Sequence, residues 1–230
     1  MAMYLGNKKV AVTNTVEKQV PSMKAYFEAG GKCAYSTATS FEGCWQFDDT
    51  ANVTDMFYMF YYCIYITTVP LFDTSNVTSM YNMFNSCYKL TEVPLFNTTK
   101  VTNMHSMFYN CNKLIKIPLF DTSRVTDMNG MFEQCNSLRE VPQLDTSNVT
   151  DMNYMFIGCS NLETIHMINI NTSLYISIST KFTREALLEI IGNLKPQTSG
   201  TKTLTMGSTN LAKLTDEDKA IATNKGWTLA

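Results

Sequence analysis

The sequence has little with which to build a catalytic site, a membrane anchor or a polyanion-binding surface. Of 230 residues only His105 and His166 are histidine, and no Cys or His pair stands two to four residues apart as a zinc site requires. Cations are in no excess: 18 Lys and Arg face 20 Asp and Glu, for a net charge of -2. Nucleic acid therefore meets no overall basic surface, although a local patch can hide in the total. The start, "MAMYLGNKKV", reaches Lys8 and Lys9 after a short apolar stretch, so it has no signal-peptide h-region, and no later run is long enough to span a bilayer. The expectation is a chain that neither inserts into a membrane nor leaves by the usual secretory route. The glycine-rich nonapeptide of calcium-binding β-helices is also missing. What remains, 45% hydrophobic and 17% charged, suffices for one domain or two small ones.

What the sequence does have is a period of 24. Phe60, Phe84, Phe108, Phe132 and Phe156 follow at that interval, each preceded by Met. The same step links Cys63, Cys87, Cys111, Cys135 and Cys159, and it links Val53, Val77, Val101, Val125 and Val149, each followed by Thr. Repeats without insertions let identical positions stack into columns, which is the condition for a solenoid. With neighbouring strands about 4.8 Å apart, five coils make a rod of roughly 25 Å. Residues such as Val77, Met80, Met83, Phe84, Cys87, Leu90, Val93 and Phe96 are assigned to its interior. "KLTEVPLF" reads as a short strand, "SMYNMFNSC" as a turn or two of helix or 3-10 helix on the opposite side, and "DTSN" as a capped corner.

"FDTSNVTDMxxMFxxC" followed by a Leu-containing strand resembles the BspA-like leucine-rich repeat of bacterial surface proteins, over about residues 41–166. The resemblance implies an α/β solenoid with a parallel sheet, and a binding or adhesive surface without catalytic residues.

An array of this kind exposes apolar ends and needs caps. Residues 1–48 read as a hairpin turning at Gly6 and Asn7, a short helix ending at Gly30 and Gly31, and a truncated entry coil at "SFEGC". Residues 49–168 hold the five repeats. Residues 169–230 read as a βαβαβ cap, with helices from about Thr183 to Leu194 and from Asp216 to Asn224, extending the same sheet. The start, the repeats and "TLTMGSTNLAKLTDEDKAIATNKGWTL" together also resemble proteins encoded by phages and prophages of Gram-positive bacteria. That second resemblance implies a virion or tail-associated protein, assembled in the host cytoplasm and released by lysis.

Polar repeat positions have structural readings. The cysteine column, behind a Phe in every coil, reads as reduced and buried, because five equivalent thiols cannot all pair even at a spacing of about 5 Å. Asp49, Asp73, Asp121 and Asp145, with Asn97 among them, read as corner caps rather than a calcium ladder. His105 shares its column with Phe57, Tyr81, Asn129 and Asn153 and reads as a solvated surface residue. The sequons at Asn52, Asn76, Asn97 and Asn148 belong to the repeat itself. No cofactor and no metal is expected.

The candidate binding residues are Tyr58, Tyr61, Tyr62, Tyr65, Tyr81, Tyr88 and Tyr109, seven of the twelve tyrosines, all in the first three copies. Copies four and five place Asn129, Gly130, Glu133, Gln134, Asn136, Ser160 and Asn161 in those rows. Tyrosine offers apolar area with a hydrogen-bonding tip, suited to a host surface glycan or protein. The alternatives are a structural virion or assembly subunit that buries this face against a neighbour or the N-terminal cap, and a bacterial surface adhesin domain.

Overall fold

The computed structural model describes the strands Ala2–Leu5 and Lys8–Ala11 and residues 50–230. The expected N-terminal helix, the entry coil, Cys33, Cys44 and Asp49 lie outside the described residues. The two strands, β1 and β2, pair antiparallel with Leu5 opposite Lys8, the hairpin that Gly6 and Asn7 signalled.

From residue 50 onward the columns are the core. The rings of Phe60, Phe84, Phe108, Phe132 and Phe156 stack with centroids 5.1, 5.5, 5.8 and 5.9 Å apart and within 5° of parallel. A second column, Phe72, Phe96 and Phe120, runs beside it. The Val, Met, Leu and Cys columns are buried with them. Each full burial of such a side chain is worth about 1.5–3 kcal/mol, so the repeated residues supply most of the driving force. All five described cysteines are buried and take part in no disulfide. They are more than small hydrophobes: Cys87, Cys111, Cys135 and Cys159 donate their S–H to the carbonyls of Phe60, Phe84, Phe108 and Phe132, at 3.0–3.1 Å.

Between columns the backbone departs from the expected helix. In "SMYNMFNSC" the N–H groups of Met80, Asn82, Phe84 and Ser86 donate to Asn103, His105, Met107 and Tyr109 of the next coil, while those of Met83, Asn85 and Cys87 turn back to Met80, Asn82 and Phe84. A helix would spend every N–H inside its own coil. The alternation instead needs left-handed residues, here Asn82 at φ 53° and Ser86 at φ 63°. Small polar residues and glycine tolerate that conformation.

The strands are also sparser than expected. Among the described residues of the repeats, a regular parallel pair forms only between β3 (Glu140–Asp145) and β4 (Thr164–Ile168). Earlier coils are joined by single parallel bridges, Asp55 to Ser79 to Asn103 to Asp127 to Asp151, and "KLTEVPLF" gives isolated bonds such as Thr91 N–H to Thr67 O, 2.9 Å. Pro70, Pro94 and Pro118 remove a ladder donor from each of these segments, as Pro142 does in β3, where the pairing shifts register between Val141 and Leu144. The corners match expectation: Asp73, Asp121 and Asp145 accept from the N–H of Ser75, Ser123 and Ser147 at 2.8–3.0 Å, and Asn97 accepts from Thr99. Thr78, Thr102, Thr126 and Thr150 each donate their hydroxyl to the carbonyl of the threonine one coil earlier.

The C-terminal part runs β5 (Leu174–Tyr175), α1 (Arg184–Gly192), β6 (Lys202–Thr205), α2 (Gly207–Leu211), α3 (Asp216–Asn224) and β7 (Trp227–Leu229). Its strands form a parallel sheet in the order β5-β6-β7. This sheet does not continue the β3-β4 pair: Asn169 takes φ 60° after β4, and the only strand-like link across is a bridge from Ile170 to Leu194. Thr183 caps α1, Thr215 and Asp218 form a capping box on α3, and Arg184 grips Asp218 with two bonds of 2.7 Å. The short helix α2 was not foreseen. Its buried Asn210 donates to Met206 O just before the helix and to Ser179 O in the segment between β5 and α1.

Candidate recognition surface

The coil hydrogen bonds bring five of the seven candidate tyrosines into one ring network. Tyr58 meets Tyr61 edge-on at 5.0 Å and Tyr81 at 5.4 Å; Tyr61 meets Tyr62 at 6.2 Å, and Tyr62 meets Tyr88 at 6.1 Å. Edge-to-face pairs at these distances contribute about 0.5–1.5 kcal/mol each. Two residues join that tyrosine counting passes over. Phe57 lies against Tyr58 at 5.7 Å, and His105 stacks on Tyr81 at 5.0 Å. Both share the column of Tyr81, the signal that could have found them. Tyr65 stands apart under the Lys89 ammonium, 4.9 Å from its ring centre. Tyr109 is half-buried and makes no ring contact with the network among the described residues.

The column Phe57, Tyr81, His105 is positioned by the residue two before each: Asp55, Ser79 and Asn103 accept from the N–H groups of Phe57, Tyr81 and His105. Polar partners line its edge, with His105 Nδ1 3.5 Å from Asp127 Oδ2 and Asn85 joined to both Asn82 and Ser86. The Tyr58 hydroxyl is held by Tyr81, which with some burial pushes its titration above the usual phenol range. Aromatic faces with amide, imidazole and carboxylate groups at the margin can stack on a sugar ring or seat a protein loop.

Tyr58 and Tyr62 occupy the two left-handed positions of their coil, at φ 57° and 62°. The same two columns elsewhere hold Asn82 and Ser86, Ser106 and Asn110, Gly130 and Gln134, and Tyr154 and Gly158. A bulky residue there is strained. Tyr62 is also 52% exposed, so packing alone does not keep it.

A second exposed feature escaped the sequence reading. Leu71, Leu95 and Leu119, one coil apart in the "PLF" segments, are 65%, 60% and 61% exposed. They repeat as regularly as the core does, yet point away from it. His166, far in sequence from the candidate tyrosines, is bonded to Glu189 at 2.7 Å and approached by Glu140. Among the described residues no three His, Cys, Asp or Glu side chains converge as a metal site, and no helix is long and apolar enough to cross a membrane.

Residues 22–140 and 113–191 match a family described as Mycoplasma protein of unknown function, DUF285. The chain belongs to the DUF285 family. Among solved structures, this DUF285 chain is similar to the leucine-rich repeat protein of T. pallidum, at 17% identity over 77% of this chain and 79% of that one, with a TM-score of 0.50. That likeness shows the fold, a leucine-rich-repeat solenoid, in agreement with the BspA-like resemblance of its repeats. No curated protein matches the chain.

Proposed function

We propose that this DUF285 chain is a non-enzymatic recognition module that engages a host cell-surface glycan or protein through the ring network of Tyr58, Tyr61, Tyr62, Tyr81 and Tyr88. The observation that carries this reading is the placement of tyrosine at both left-handed positions of one coil, Tyr58 and Tyr62, which coils two to four fill with Asn, Ser, Gly or Gln and coil five with Tyr154 and Gly158. The fold does not need tyrosine there, and the rings cluster with partly exposed faces. The setting we propose is a phage or prophage virion of a Gram-positive host, with the protein tail-associated and assembled in the host cytoplasm. The start, the repeats and the end of the sequence support it through their resemblance to such proteins.

The test is binding of purified protein to a glycan array and to whole Gram-positive cells, beside a variant with Tyr61, Tyr62 and Tyr88 changed to Ala. Binding by the parent that drops about tenfold or more in the variant supports the reading, since aromatic anchors at such surfaces contribute 1–2 kcal/mol or more apiece. Equal binding by both proteins overturns it.

A second reading, an assembly subunit, is favoured by the exposed column Leu71, Leu95 and Leu119. Such an apolar stripe suits burial against a neighbouring subunit. Light scattering of the parent against a Leu71, Leu95 and Leu119 to Ser variant separates the two, because only the assembly reading requires the variant to lose self-association.

A further inference from the structure

One column of the repeat behaves differently from all the others. At positions 52, 76, 100, 124 and 148 the chain reads Asn, Asn, Lys, Arg, Asn. At two of these positions the asparagine serves the fold: Asn76 Nδ2 donates to Ala51 O and Asn148 Nδ2 to Ser123 O, each at 2.7 Å, across to the preceding coil. Lys100 and Arg124 make no such bond to the equivalent carbonyls of Ser75 and Thr99. Lys100 bonds instead to the Asn76 side chain of the preceding coil, and Arg124 has given up the inter-coil hydrogen bond, worth about 0.5–1.5 kcal/mol, in exchange for a cation.

The two cations border a shallow cleft of about 460 Å³, with Thr78, Thr102, Thr126 and Asn148 as its other walls. Among the described residues no carboxylate lines it, and neither cation takes part in an ion pair. Asp121, three residues before Arg124, is turned to the N–H and hydroxyl of Ser123. The donors of the cleft can be counted. The hydroxyls of Thr78, Thr102 and Thr126 are spent on the carbonyls of Thr54, Thr78 and Thr102, and Asn148 Nδ2 is engaged with Ser123. Lys100 gives one N–H to Asn76 Oδ1 at 2.6 Å and keeps two. The Arg124 guanidinium keeps all five. Almost every unspent donor is therefore cationic, and what the cleft lacks is an acceptor of negative charge.

We propose that Lys100 and Arg124 form an oxyanion subsite that takes a single carboxylate or phosphate group of a ligand. Stacked coils stand about 4.8 Å apart, so one oxyanion can be shared between the ammonium and the guanidinium fork. Two cations and no more make this a place for one charged group and not a track for a polyanion. The subsite lies outside the ring network and does not depend on it.

The test uses the full-length protein labelled with nitrogen-15, the Arg124 Nε–H resonance as readout, and glycerol 1-phosphate, glucuronate and uncharged glycerol as probes. A saturable shift at about millimolar concentration is expected with one or both anions and none with glycerol, weakening as sodium chloride is raised. A response to only one anion assigns the group. The Lys100→Asn, Arg124→Asn double variant restores the residue its own repeat prefers, so it is expected to fold with an equal or higher Tm while binding, read on the neighbouring Thr102 and Thr126 amides, weakens at least tenfold. The Tyr61, Tyr62 and Tyr88 to Ala variant is expected to bind the anions as the parent does. No saturable shift with either anion, unchanged binding in the double Asn variant, or a lower Tm in that variant overturns the proposal.

Discussion

Tyr154 shows at residue scale what a coil asks of its side chains. It sits at φ 60° and 60% exposed, in the column of Tyr58, Asn82, Ser106 and Gly130, and makes no ring contact with another described aromatic residue. Left-handed backbone costs an ordinary residue about 1–2 kcal/mol and asparagine less, so Tyr154→Asn is expected to stabilise the protein by about 0.5–1 kcal/mol in urea unfolding. Tyr62→Asn is expected to gain less, because it also breaks ring contacts with Tyr61 and Tyr88. The cysteine column sets an alkaline limit. Burial pushes the Cys159 thiol up to about 12 and raises Cys111 and Cys135 as well. An unfolded thiol ionises near 8.5, so above that pH the unfolded chain sheds protons that the native one keeps. Stability from these groups is complete below about pH 8.5 and falls at about 1.4 kcal/mol per pH unit per thiol until the native thiols themselves ionise. Urea midpoints measured from pH 7 to 10.5 are expected to drop steeply past 9, and a Cys111→Ala, Cys135→Ala variant is expected to show a shallower fall.

At the scale of elements, the C-terminal helices are held by caps that sequence makes plain. Thr215 accepts the Asp218 N–H, and Asp218 returns the bond while also gripping Arg184, which holds its carboxyl below the usual range. Thr215→Ala is expected to lower stability by about 1 kcal/mol. As pH falls through the depressed value of Asp218, protonation loosens the α1-α3 contact, a change thermal melts at pH 2–5 can follow in the parent and not in Asp218→Asn. These caps, the corner aspartates and the Gly6-Asn7 hairpin were legible because each depends on a local signature. The apolar columns were legible because a fixed period states which residues must meet. The helix expected at "SMYNMFNSC" was not there, although its apolar spacing is helical. Bonding between coils, a long-range demand, overrode that periodicity, and its trace in the sequence was Asn, Ser, Gly or Gln at two positions four apart in coils two to four, a trace that the tyrosines of coils one and five obscure. Likewise Pro94 and its copies each remove a ladder donor, yet β3 forms around Pro142 with a shift of register between Val141 and Leu144. Of the candidate site, the tyrosines could be named from composition. The separation of Tyr65 and Tyr109 from the network, and the inclusion of Phe57 and His105, depended on how columns project and could not.

For the whole molecule the central consequence is that each coil interacts chiefly with its two neighbours, through stacked rings and through hydrogen bonds between positions about 24 residues apart. Removing one complete period should therefore leave every remaining residue with an equivalent partner. Deletion of residues 98–121 joins Asn97 to Thr122 and recreates the corner "FNTSRVT", placing Phe84 under Phe132 and Cys87 under Cys135. The shortened protein is expected to fold cooperatively, with a smaller urea m-value because less surface is exposed on unfolding. Deletion of residues 98–109, half a period, sets apolar columns against polar ones and leaves the inter-coil N–H groups without acceptors, and that variant is expected not to fold. Far-ultraviolet circular dichroism with urea titration of the two deletions decides the matter. Two folded variants, or two unfolded ones, would mean that something other than column register holds the coils together.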